Sequence, residues 1–108
     1  METGIVLYNI ELDGCLNGVY TNDHVDGDIF NEIARRHTNI GEDDLSGIYD
    51  CFYFDINNSR IDAELTIGIK SNKNRTYAFS WEVKGKIIFE GIGYRMNEKQ
   101  VAVHYWQK

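Results

Sequence analysis

Leu16-Asn17-Gly18-Val19-Tyr20-Thr21 returns as Leu45-Ser46-Gly47-Ile48-Tyr49-Asp50, and Phe89-Glu90-Gly91-Ile92-Gly93-Tyr94 carries the same Gly-Ile core a third time. Each copy sets a glycine among β-branched and aromatic residues. There a missing side chain lets a strand bend sharply or lets another group approach closely. Small curved sheets and barrels are built from such segments.

Working outward from these phrases, the chain reads as consecutive strands. Segment 4–12 places Val6, Tyr8, Ile10 and Leu12 on one face, and Asp13-Gly14 then signals a two-residue hairpin into 15–22. Segment 45–56 is apolar on both faces, with Ile48, Phe52, Phe54 and Ile56 alternating with Tyr49, Cys51 and Tyr53, so cover on both sides or a central sheet position is expected. After Asn57-Asn58-Ser59, residues 60–70 oppose Ile61, Ala63, Leu65, Ile67 and Ile69 to a polar face. Tyr77, Phe79, Trp81 and Val83 repeat the pattern over 75–84. Turns at Lys84-Gly85-Lys86 and Met96-Asn97-Glu98-Lys99 lead into 86–95 and 100–107.

Residues 28–36 stay open between two readings. Ile29, Phe30, Ile33 and Ala34 match a helical stripe, and the same stretch reads as a poorly alternating strand. The fold expected is all-β: one domain over 1–108, an antiparallel meander of seven to eight strands with a short helix near 28–36 as the variant. Closure into a barrel removes exposed edges that would otherwise invite aggregation, and eight strands enclose just enough space for side chains or one small ligand. The absence of proline fits continuous sheet.

Seventeen acidic against eleven basic residues give a net charge of −6, a field that repels phosphate backbones and anionic membranes. Neither nucleic acid nor membrane is expected as a partner. Asp23, Asp26, Asp28, Glu42, Asp43 and Asp44 read as a solvated acidic rim. Asp26-Gly27-Asp28 does not extend to a calcium loop, because His24 and Ile33 occupy positions that need oxygen ligands, so no metal is expected. No leader or membrane-spanning apolar run is seen, which gives a cytoplasmic expectation. Cys15 and Cys51 lack C-x-x-C spacing and read as free thiols. His24, His37 and His104 stand in no catalytic spacing, and no cofactor motif is present.

Trp81, Phe89 and Trp106 fall on three successive strands, with Tyr20, Tyr49 and Tyr53 on two earlier ones. Such a set forms either a plain aromatic core or the wall of a pocket at a barrel mouth, with Asn22, Ser80 and Thr66 as orienting polar groups.

Cys15-Leu16-Asn17-Gly18-Val19-Tyr20-Thr21-Asn22-Asp23 resembles the first strand of the avidin and streptavidin family, and Leu45-Ser46-Gly47-Ile48-Tyr49 resembles its Gly-x-Tyr strand. Trp81, Ile88-Phe89-Glu90-Gly91 and Tyr105-Trp106 follow in that family's order. The resemblance implies a calycin-like barrel in which Asn22 and Tyr49 bond a ureido oxygen while Trp81, Phe89 and Trp106 wall an apolar ring. Departures weaken the ligand inference: Cys51 and Ile87 stand where the family prefers hydroxyls, the loop after Asn22 is acidic, and the last family strand has no counterpart after Trp106. Segment 4–12 would fill that slot from the other end of the chain, a circular permutation, if it pairs with both 15–22 and 100–107.

The function expected is a non-enzymatic barrel binding a small molecule or a peptide, without a cofactor. One alternative is an interaction or regulatory module with a filled aromatic core, docking a basic protein through acidic loops at 22–28 and 41–45. The other is an enzyme using a Cys/His pair. Edge strands and surplus tyrosines leave a homodimer open.

Overall fold

Alternation of inward and outward side chains is carried around a complete circle. The computed structural model describes residues 2–23, 27–55, 57–71 and 75–108. It contains eight strands: β1 (Thr3–Ile10), β2 (Leu16–Asn22), β3 (Phe30–Asn39), β4 (Gly47–Phe54), β5 (Arg60–Ser71), β6 (Thr76–Val83), β7 (Lys86–Asn97) and β8 (Gln100–Gln107). Each is antiparallel to the next, and β1 closes the circle by pairing with β8 as well as β2, through Val6↔Val103 on one side and Val6↔Tyr20 on the other. Closure leaves no unpaired sheet edge. Segment 4–12 thus pairs with both 15–22 and 100–107, as the first strand of any closed meander barrel does. No described helix is long and apolar enough to cross a membrane.

The segment left open at 28–36 is extended: Phe30 to Asn39 form β3, and the described residues contain no helix. Its pattern misleads because the parity is inverted. Glu32 points inward and is buried, whereas Ile33 points out and is exposed. A carboxylate on the inner face makes a strand read as irregular.

Turn chemistry departs from expectation at one hairpin and matches it at another. Asp13-Gly14 is not a two-residue turn; Gly14 donates to the Glu11 carbonyl and Glu11 donates to Cys15, so Leu12-Asp13-Gly14 is a three-residue loop with only Gly14 at positive φ. Leu12 sits in that loop, fully exposed, and not on the inner face of β1. Lys84 and Gly85, at φ 51° and 80°, do form the two-residue mirror-image turn whose twist suits a hairpin.

The glycines of the repeated phrase make room inside. A methyl on Gly18 would stand 2.7 Å from the Tyr8 ring, and one on Gly93 would stand 2.4 Å from the Phe79 ring. Those two rings stack on each other with centroids 6.0 Å apart and only 8° between planes. Apolar residues on the outer face of β4 are not covered by a second layer. Instead the Arg60 guanidinium lies 4.1 Å over the Phe52 ring and Phe54 meets Phe52 edge-on.

The two ends of the barrel are built differently. At one end the connection 40–46 turns inward: Leu45 and Ser46 are buried, and the Asp43 carboxylate accepts the Leu45 and Ser46 amides. Arg95, inward on β7, forks onto Asp44 and donates to the Glu98 carbonyl, pinning this plug. Asp43 and Asp44 are therefore structural groups and only in part the solvated rim expected. Among the described residues, no comparable plug fills the other end, where β1 begins and β8 finishes.

Candidate functional site

Inward positions at the open end converge on one cavity of about 580 Å³, within the roughly 300–1,000 Å³ range of small-molecule sites. Its aromatic wall is continuous. Tyr20 of β2 meets Phe30 of β3, Tyr53 of β4 and Tyr105 of β8 at centroid distances of 5.7, 6.1 and 6.5 Å. Tyr105 in turn meets Phe89 of β7 edge-on at 5.4 Å and Trp81 of β6 at 6.0 Å. Rings held edge to face or tilted at these distances support one another.

Glu32 forms the floor. It is 4% exposed, and its Oε2 accepts both the Tyr8 hydroxyl and the Trp81 indole N–H, the latter at 3.2 Å. Burial pushes its carboxyl from the ordinary 4.5 up to about 7, although the bonds from Tyr8, Trp81 and Cys51 pull the other way. Burial, then the neighbouring Glu32 charge, also raises the Tyr8 hydroxyl and the Cys51 thiol. Near neutral pH the floor therefore exchanges one proton while its neighbours keep theirs.

At the rim, Asn22 Nδ2 donates to Glu2 Oε2 at 3.1 Å and to the Tyr105 hydroxyl at 3.2 Å, and Tyr105 donates to the same Glu2 oxygen at 3.3 Å. The Tyr20 hydroxyl is tied to the Phe54 carbonyl. Asp55 and Gln107 complete the polar part of the lining.

Of the five residues singled out from sequence, the structure brings Asn22, Trp81 and Phe89 to this cavity. It does not bring Tyr49 or Trp106. Tyr49 is wholly buried near the plugged end, donating to the Leu45 carbonyl at 2.6 Å, and burial raises its hydroxyl to about 12. Trp106 alternates outward on β8 and packs against His104 on the outer wall, with centroids 5.5 Å apart. Thr66 and Ser80 are partners across β5 and β6, out of phase with inward Leu65 and Trp81. His37 lies on the outer wall near Asp50, and Cys51 faces inward beside Glu32. His24 and Asp26 lie outside the described residues.

Sequence reasoning missed Glu32, Glu2 and Asp55. The signal for Glu32 was present: Phe30, Glu32 and Ala34 share one parity, and an acid between two apolar residues on an inner face marks either an error of reading or a site. No family model, curated protein or solved structure matches the chain. The eight-stranded antiparallel barrel is compatible with a calycin-like fold.

Proposed function

We propose that this protein binds a small organic molecule in the open end of its barrel, with Trp81 and Phe89 against the ligand's apolar body and Asn22 among its polar contacts. The observation that carries the reading is the contrast of one plugged end with one cavity walled by rings and carrying a few convergent polar groups. The closure of β1 between β2 and β8 supports a permuted avidin-like arrangement. With Tyr49 away from the cavity the ureido pair is divided, with Trp106 away the ring wall is incomplete, and the ligand proposed is not biotin.

Trp106→Phe leaves Trp81 as the sole indole, a reporter inside the cavity. A panel of apolar small molecules, biotin included, is titrated against its fluorescence and against thermal melting. Saturable change with a raised Tm is expected, since ligand at a hundred times Kd adds about 2.7 kcal/mol to stability. Silence from neutral, anionic and cationic compounds alike would overturn the reading.

A second reading is favoured by one observation. Ile5, Leu7, Val19, Ile92 and Tyr94 form an exposed, largely apolar strip across the outer faces of β2, β1, β8 and β7, with Ala102 and His104 of β8 between them, the kind of surface that marks an interface. A second copy is the partner proposed, and sedimentation of the wild type against Ile5→Lys decides it: a dimer abolished by the charge supports it, and a monomer throughout removes it.

A further inference from the structure

The chemistry of the cavity lining is one-sided. Glu2, Glu32 and Asp55 line it, and no lysine, arginine or histidine does among the described residues. Three cations have described partners, Arg60 with Asp62 and the Phe52 ring, Lys108 with Glu90, and Arg95 with Asp44 at the far end, while Lys84 and Lys86 of the β6–β7 turn are exposed and outside the lining. Glu32 and Asp55 take part in no described ion pair.

Aromatic faces carry negative quadrupole potential, so rings and carboxylates around one space attract the same kind of guest. We propose that the cavity selects an organic ammonium ion carrying an apolar body, its charged head directed to Glu32 at the floor and its body held among Trp81, Phe89 and Tyr105. This inference rests on the small-molecule reading above and names the ligand class of that site. A metal ion is the poorer guest, because no group of three described His, Cys, Asp or Glu side chains is close enough together to hold one. An anion would meet the carboxyl groups of Glu32 and Asp55, neither of them in a described ion pair. A neutral apolar ligand is matched only to the protonated floor carboxyl and gains nothing from its charge as pH rises above about 7.

The proton on Glu32 gives the proposal a signature of its own. Facing Glu32 are Tyr8 from β1, Tyr20 from β2, Cys51 and Tyr53 from β4, Trp81 from β6 and Tyr105 from β8. Near the cavity β5 and β7 present Ile61, Ile88 and Phe89. Burial raises all four tyrosines and the thiol above their ordinary values, so these stay neutral through the neutral range. A bound ammonium favours the ionised carboxyl, and its binding near pH 7 must therefore release protons.

The test compares three ligands of one body, 4-phenylbutylammonium, 4-phenylbutanol and 4-phenylbutyrate, with Trp81 fluorescence in the Trp106→Phe protein and with calorimetry in buffers of different ionisation enthalpy. The expected result is that the ammonium binds about tenfold or more tightly than the alcohol at pH 8. That preference should shrink at pH 5.5, and binding at pH 7 should release protons. Glu32→Gln keeps an oxygen for Tyr8 and Trp81, and in it the ratio of ammonium to alcohol affinity should fall toward one; its Tm verifies folding, and proton release by the unmutated floor is an independent readout. Equal binding of alcohol and ammonium, or tighter binding of the butyrate, would overturn the cation inference and leave the small-molecule reading standing. Silence from all three, together with silence from the wider panel, would overturn both. Stabilisation by calcium or magnesium without any response to the ammonium would also overturn it, in favour of a metal site.

Discussion

The two ends of this barrel use the same strands for opposite purposes. At the plugged end, Leu45 enters the interior, Tyr49 satisfies the Leu45 carbonyl, and Arg95 clamps Asp44. Each polar group there has an internal partner chosen by geometry, except the buried Asp43 Oδ1 and Ser46 Oγ. At the open end, Phe30, Tyr53 and Phe89 stand half-buried beside the buried rings of Tyr20, Trp81 and Tyr105, and Glu32 is buried without an opposing cation among the described residues. The plugged end is filled by side chains at the cost of those two unpartnered atoms, whereas the open end keeps a buried carboxylate beside a cavity. Features of that kind persist where a site needs them.

Truncating the packed end tests this contrast most severely. Leu45→Ala removes a fully buried side chain from the plug and should cost about 2–4 kcal/mol in urea unfolding. Phe89→Ala, at the half-buried mouth, should cost clearly less despite the larger side chain. Equal losses would erase the distinction between the ends.

The floor carboxylate should work in the reverse direction. With its folded value raised from 4.5 to about 7, Glu32 binds its proton more tightly folded than unfolded. Its influence is absent below about pH 4.5, erodes stability as pH rises through that window, and levels off above about pH 7. Glu32→Gln should therefore raise stability at pH 8 by on the order of 2–3 kcal/mol and flatten the profile between pH 4.5 and 7. Unchanged denaturation curves at pH 8 would show that the floor carries no such penalty. Asp44 gives the matching control at the other end: the bonds from Arg95 hold its carboxyl below the usual range, so its contribution is lost only as pH falls beneath about 3.8.

The smallest effect sharpens the clamp itself. Arg95→Ala breaks the fork onto Asp44, but Asp44 is largely exposed and its charge is screened. A loss of about 1–2 kcal/mol is expected, with faster amide exchange at Leu45 and Ser46 and none of that acceleration at Phe30 or Glu32. Uniform acceleration around the barrel would instead make Arg95 a global element.

Much of the architecture was legible in the chain. The period of two in 60–70 and 75–84, the turn at Lys84-Gly85 and the glycine phrases specified antiparallel strands and close packing of rings against bare backbone, because these are local properties of pleat and φ. Strand β3 resisted, since its one buried acid breaks the pattern on which periodicity depends. The site was half legible for a related reason. Trp81 and Phe89 were identified as wall residues by position on successive strands, but a strand sequence alternates between two faces without saying which one closes inward. That ambiguity placed Trp106 in the pocket when it lies on the outer wall.

The sequence by itself determined that this chain is an all-β meander with an aromatic-rich interior and an excess of acid, for those follow from residue type and spacing alone. Only the tertiary structure decided that Glu2, Asn22, Glu32 and Tyr105, spread across residues 2–105, face one cavity, and that the loop at 40–46 seals the opposite end. Barrel closure and register are set by all eight strands together. A one-residue change of phase moves every side chain of a strand to the other face.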